Sequence, residues 1–265
     1  MKRARLTPIT IMILLMVYGI LYIWQPGGSA LLLVLTHFAF AMFAFLGAGL
    51  AWLASRMFES GVVARRVWLF LSAGLTILTG SESLWLIFYV LRQTLAYPSV
   101  VDVSWAIGFI PILVGLILQY RALNVRLSRR RQQSILAAYL GVVLVSLALS
   151  LDFVLSHPGD AAVMQLLVGA YYLVGNLGVV FLATMSLMYL GHGLVARPWI
   201  YMVLGILAFA VAGLAFSYGT WTNTYLTGSN ALSGVVDVAY LAGYVLIAAG
   251  GYRQVTLHLN AISKA

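Results

Sequence analysis

Of 265 residues, 63% are hydrophobic and only 8% charged. A soluble domain carries roughly 25% charged residues, so water is excluded as the main solvent, and a large soluble domain with it. The net charge of +9 does not point to nucleic acid, because the cations stand in short runs between apolar segments, the pattern that orients membrane helices.

A helix needs about 20 apolar residues to cross the hydrocarbon core, and the apolar runs predict eight crossings in chain order. The first runs from about Pro8 to Trp24 and ends at the turn Gln25-Pro26-Gly27-Gly28; the second spans about Ala30 to Leu53. After a loop with Arg56, Arg65 and Arg66, the third spans about Val67 to Leu91, and the fourth about Val100 to Tyr120. A basic loop with Arg121, Arg126, Arg129, Arg130 and Arg131 leads to the fifth, about Ser134 to Leu155, which stops at His157-Pro158-Gly159-Asp160. The sixth spans about Ala162 to Leu190 and the seventh about Trp199 to Tyr218. An uncharged loop, Thr220 to Asn230, precedes the eighth, about Leu232 to Tyr252, and a short tail follows. The basic start Met1-Lys2-Arg3-Ala4-Arg5 resembles a signal peptide, but no cleavage site follows Trp24, so the first crossing is expected to stay.

The chain repeats itself. Val100-Val101-Asp102-Val103-Ser104-Trp105-Ala106-Ile107-Gly108-Phe109 recurs 135 residues later as Val235-Val236-Asp237-Val238-Ala239-Tyr240-Leu241-Ala242-Gly243-Tyr244. Gly61-Val62-Val63-Ala64-Arg65-Arg66-Val67-Trp68 recurs as Gly193-Leu194-Val195-Ala196-Arg197-Pro198-Trp199, at an offset of 132 that falls to 131 at the Trp. The expected fold is therefore an all-α polytopic membrane protein with two tandem four-helix repeats, residues 1–131 and 132–265. Every Lys and Arg but Arg92 falls on the N-terminus, the 2–3, 4–5 and 6–7 loops or the tail. The positive-inside rule makes those faces cytoplasmic, with both termini inside and the two copies parallel. The localisation this implies is the cytoplasmic (inner) membrane of a prokaryote, multi-pass.

An ionisable group near the bilayer centre costs at least ~2.5 kcal/mol, so each needs a reason. Glu82, His37, Asp102, Asp237 and Asp152 all fall in the outer half, with Arg92 at the same rim. Ser99-x-x-Asp102 is a capping-box pattern, and Asp237 follows Gly234 at the same spacing, so helix capping and ligand contact are both open for the two aspartates. Glu82 stands among Gly80, Ser81 and Ser83, small residues that suit a cavity or a close helix approach. The second copy has no acid near the equivalent Gly213, so Glu82 is the leading functional candidate, with Arg92 or His37 as the alternative of a buried partner. Asn176 lies near mid-membrane, where its amide needs a hydrogen bond, and Gly175 and Gly178 would let another helix close on it. Trp85, Tyr89, Trp105, Tyr218, Trp221, Tyr225 and Tyr240 gather towards the outer side, mostly as interface anchors. Trp105 and Tyr240, in matched positions, are placed to face the cleft between repeats. The candidate ligand-binding set is Glu82, His37, Trp105, Asp102, Tyr240, Asp237 and Asn176.

No cofactor or resident metal is expected. The absence of Cys removes thiolate catalysis and Cys-ligated metals. The four His fall at different depths, against a bis-His haem, and Lys2 and Lys264 both lie outside the bilayer, against a retinal Schiff base. No HExxH, phosphate loop or GxSxG occurs, so no enzyme is expected. A metal held by His37, Glu82 and Asp102 would rest on shared depth alone.

The stretch Tyr97-Pro98-Ser99-Val100-Val101-Asp102-Val103-Ser104-Trp105-Ala106-Ile107-Gly108-Phe109 resembles the multi-helix membrane sensor regions of bacterial and archaeal signalling proteins. Those carry a Tyr-Pro-Ser-x-x-Asp turn, an aromatic and a Gly-aromatic pair, and usually precede PAS, histidine-kinase or diguanylate-cyclase modules. The duplicated Asp-containing helix and Arg253 after the eighth crossing are similar too. No output domain follows before Ala265, so the resemblance implies a stand-alone relative or a sensor that acts through a partner.

Three readings follow in order. The first is a sensory or ligand-binding membrane module for signal transduction, its polar pocket in the outer half. The second is a non-catalytic subunit of a larger, energy-converting membrane complex. A small-molecule transporter comes last, since the inner half lacks acids along a path. Expected partners are the lipid bilayer and a protein in the membrane or cytoplasm, with a homodimer allowed and no nucleic acid.

Overall fold

The computed structural model describes residues 2–92, 99–123, 128–156, 160–190, 193–222 and 224–263. Among the described residues there are eight helices and no strand: α1 (Lys2–Trp24), α2 (Gly28–Arg56), α3 (Val63–Val90), α4 (Val100–Ala122), α5 (Arg129–Ser156), α6 (Asp160–Leu190), α7 (Ala196–Trp221) and α8 (Ala231–Ile262). Positive φ at Gln25 and Gly27 breaks the chain between α1 and α2 where the Pro-Gly turn predicts it. One boundary is corrected. The expected C-terminal tail is helix as far as Ile262, because no Gly or Pro interrupts it and its side chains find partners. The His258 ring packs edge-on against Phe58 at 4.5 Å, the Arg253 guanidinium lies over Tyr201, and Gln254 is buried.

Six helices close a ring. Neighbours pack in the order α2, α3, α4, α6, α7, α8 and back to α2, while α1 leans on α8 and α5 on α6. Among the described residues these six are the helices long and apolar enough to cross a membrane, and α1 offers a shorter apolar stretch, Pro8–Trp24. Large apolar side chains such as Phe38, Phe45, Val103, Ile110, Leu204 and Val211 point outwards and are exposed, which a hydrocarbon solvent tolerates and water does not. This is a multi-pass membrane protein. Inside the ring, Trp68, Leu71, Leu75, Leu78, Phe209 and Tyr244 form the packed centre.

Two helix crossings in this ring use corresponding residues. In α3 against α4, a Cβ placed on Gly74 would lie 2.7 Å from the carbonyl oxygen of Gly108 and 2.5 Å from Cγ1 of Ile112. In α7 against α8, a Cβ on Gly205 would lie 2.8 Å from the carbonyl oxygen of Gly243 and 2.8 Å from Cγ1 of Ile247. Two turns further on, Gly115 closes on the carbonyl oxygen of Val67 and Gly250 on that of Pro198. Every partner in the second crossing stands 131 (α7) or 135 (α8) residues after its counterpart in the first. Backbones this close leave no room for any side chain, so the glycines are steric requirements of the packing.

Candidate functional site

Every ring helix contributes to one cavity of about 130 Å³. His37 and Phe40 come from α2, Glu82 and Trp85 from α3, Asp102, Trp105 and Phe109 from α4, Asn176 from α6, Gly213 and Ser217 from α7, and Tyr240 from α8. Tyr225, from the loop between α7 and α8, lines it too. Six of the seven candidate residues therefore share one wall, and the seventh, Asp237, lies one hydrogen bond behind Tyr225. Because α4 and α8 begin here and α7 ends here, the cavity sits at the end of the bundle opposite the arginine-bearing loops.

Glu82 is its chemical centre. Its side chain is 1% exposed, and both carboxyl oxygens are engaged. Tyr244 donates its hydroxyl to Oε1 at 3.0 Å, and Nδ1 of His37 lies 3.0 Å from Oε2. Of the two partners the sequence offered, the structure chooses His37, while Arg92 sits past the end of α3 with φ 53°. The imidazole is fixed in turn. Trp85 stacks on it at 3.7 Å and 17°, Tyr89 stacks on Trp85 at 5.6 Å, and Phe40 meets the imidazole edge-on. A buried carboxyl held on both oxygens, with its partner clamped between rings, is preorganised rather than adaptable.

The two aspartates divide. Asp102 is a cap: Oδ2 accepts from the Ser99 amide at 2.6 Å and its hydroxyl at 2.7 Å, while the Ser99 hydroxyl oxygen accepts from the amides of Val101 and Asp102. Asp237 is not. The helix begins at Ala231 under an Asn230 cap that accepts from the Ser233 amide, so Asp237 falls in the second turn, too deep to cap. It is 1% exposed and accepts from two phenols, Tyr225 at 2.8 Å and Tyr22 at 3.1 Å. The Tyr22 hydroxyl also accepts from the Gly228 amide, and Gln25 donates to the Gly228 carbonyl at 2.6 Å. Helix α1 thus pins the loop that carries Tyr225. Burial pushes the Tyr225 phenol well above its ordinary value, and the facing Asp237 carboxyl adds to the rise.

Other expectations need correction. A Cβ on Gly175 meets nothing within 4 Å, so Gly175 does not admit a helix beside Asn176. It is Gly213, on α7, that brings the backbone against the Asn176 amide, 3.0 Å from where a Cβ would stand. Ser81 faces the Ser104 hydroxyl across the α3–α4 crossing, whereas Ser83 bonds back to the Thr79 carbonyl. Trp85 and Tyr225, expected as interface anchors, line the cavity instead. Trp105 and Tyr240 meet edge-to-face at 5.6 Å and 89°. The side chains of Asp152, Tyr172 and Trp221, together with Tyr97, Pro98, His157 and His192, lie outside the described residues. Among the described residues no three His, Cys, Asp or Glu side chains gather as metal ligands would.

No family model, curated protein or solved structure matches the chain.

The sequence reading passed over Tyr244, Tyr22 and Trp85 as site residues. Two had a signal. Tyr244 stands seven residues after Asp237 and four after Tyr240, on the same face of α8, and Trp85 stands three after Glu82 on α3. Nothing in the sequence marks Tyr22.

Proposed function

We propose that this protein is a sensory membrane module that binds a small ligand in the cavity around Glu82, on the extracytoplasmic side. The observation that carries the reading is the convergence of six helices on one cavity about a buried, doubly held carboxyl. An apolar cavity of roughly 150 Å³ takes one benzene, so a space of about 130 Å³ suits a molecule of a few heavy atoms. The cavity lies among segments that also hold Trp105 and Tyr240, so an occupant changes how α4 and α8 rest against each other. A signal needs only that change to bias two packings of the ring.

The proposal includes a doubled architecture, two parallel copies of a four-helix unit, α1–α4 and α5–α8, with both termini on the cytoplasmic face; the ring helices α2–α4 and α6–α8 carry the symmetry, and the first helix of each copy departs from it, α1 leaning on α8 and α5 on α6. Recurrence of the glycine crossings supports it. So do two contacts between counterparts, Trp68 with Trp199 at 5.9 Å and Trp105 with Tyr240. A residue touches its own counterpart only beside the axis that relates the copies. The helices α3 and α4 are antiparallel, so these two contacts fall at opposite ends of the bundle and the axis runs along it. Such an axis keeps the copies pointing the same way.

The chain has no Cys, so Ser217→Cys, on the cavity wall, supplies a lone thiol, and Ser128→Cys supplies one before α5. In sealed vesicles of known orientation, the small membrane-impermeant 2-(trimethylammonio)ethyl methanethiosulfonate is expected to modify Ser217→Cys from the extracytoplasmic side and Ser128→Cys from the cytoplasmic side. Reaction of both from one side overturns the orientation. A Ser217→Cys thiol that reacts from neither side overturns the accessible cavity.

A further inference from the structure

The charge and the surfaces of the cavity wall restrict what it takes. Two acidic residues, Glu82 and Asp102, line it, the second engaged in the Ser99 cap, and the carboxyl of Asp237 stands behind Tyr225. Among the described lining residues there is no Lys or Arg, and the basic side chain present, His37, is committed to Glu82 and stacked on Trp85. An anion entering this space meets acids and no free cation. Aromatic residues make up half of the remaining wall, Trp105, Tyr240 and Tyr225 among them. The negative faces of such rings attract a cation, the more so when water is excluded, and aromatic sites recognise quaternary ammonium groups.

Resting on the ligand-binding reading above, we infer that the cavity selects a small organic cation, an alkylammonium group of a few carbons, held against Trp105 and Tyr240 beside the Glu82 carboxyl. The size agrees, because a tetramethylammonium-sized group fills a space of this order. A bare metal ion is disfavoured, because among the described residues no three His, Cys, Asp or Glu side chains gather as its ligands.

The test compares charge at constant reach. The Ser217→Cys protein is treated with the trimethylammonioethyl reagent and with the 2-sulfonatoethyl methanethiosulfonate of similar length, each rate being divided by its rate with free 2-mercaptoethanol. The normalised cation-to-anion ratio is expected to exceed about tenfold, from one or two ring and carboxyl contacts. It should fall several-fold in Glu82→Gln and in Trp105→Leu. Millimolar tetramethylammonium should slow the modification, and its neutral relative tert-butanol should not; this arm needs no further variant and stands even where a substitution fails to fold. A ratio near one, or equal protection by tert-butanol, overturns the cation preference and leaves the ligand cavity intact. Failure of both reagents to react overturns the cavity and the inference together.

Discussion

Removing the Tyr244 hydroxyl isolates the bond that holds Glu82. The ring is fully buried, and its hydroxyl donates to Oε1 over 3.0 Å, so Tyr244→Phe takes away a donor and leaves the ring packing in place. A hydrogen bond to a charged group contributes about 1.5–3 kcal/mol, against about 1 for a neutral pair. The expected cost of Tyr244→Phe is therefore about 2 kcal/mol. In a Glu82→Gln background the acceptor is neutral, and the same change should cost only about 1 kcal/mol. The cycle then shows a coupling of about 1 kcal/mol between the two positions. Equilibrium unfolding of the four proteins in mixed micelles, followed by tryptophan fluorescence, measures it. A cost below about 0.5 kcal/mol for Tyr244→Phe, or an equal cost in both backgrounds, refutes the description of Glu82 as a buried carboxylate held by that phenol.

Gly74→Ala and Gly205→Ala each press a methyl into a neighbouring backbone carbonyl and should each lose about 1–3 kcal/mol. Gly80→Ala, with open space around it, should gain about 0.5–1 kcal/mol in the same unfolding assay. Tyr225 is raised above its ordinary value near 10, so folding favours the neutral phenol. That contribution is complete below the unfolded value and is lost as pH climbs through the folded one, at up to about 1.4 kcal/mol per pH unit. Unfolding midpoints from pH 9 upwards should therefore fall less steeply in Tyr225→Phe than in the parent.

Six of the eight expected crossings were legible because hydropathy needs no partner: a run such as Gly28–Arg56 states its own solvent. The matched glycines were legible for a related reason, since Gly108 and Gly243 are small whatever they face. Pairing was harder. Depth placed Glu82, His37 and Asp102 together but said nothing about rotation around each helix, which decides that His37 and Tyr244, not Arg92, reach the carboxyl. Asp237 misled through spacing alone. Gly234-x-x-Asp237 mimics a cap, but the chain had already started its helix at Asn230, and the two tyrosines that claim Asp237 come from a distant helix and a loop. The end of α8 was set too early, at Tyr252, because Arg253, Gln254 and His258 break the apolar run and the rings beside two of them, Tyr201 and Phe58, come from other parts of the chain.

Under the duplication reading, Gly213 is the counterpart of Glu82, and both face the same small void. Two identical subunits placed about that axis would have to present either a pair of acids, repelling one another at close range, or a pair of glycines with nothing to grip. Joining the halves in one polypeptide removes that choice. One half supplies the grip and the other steps back to leave room, an arrangement forbidden to any homodimer with strict twofold symmetry.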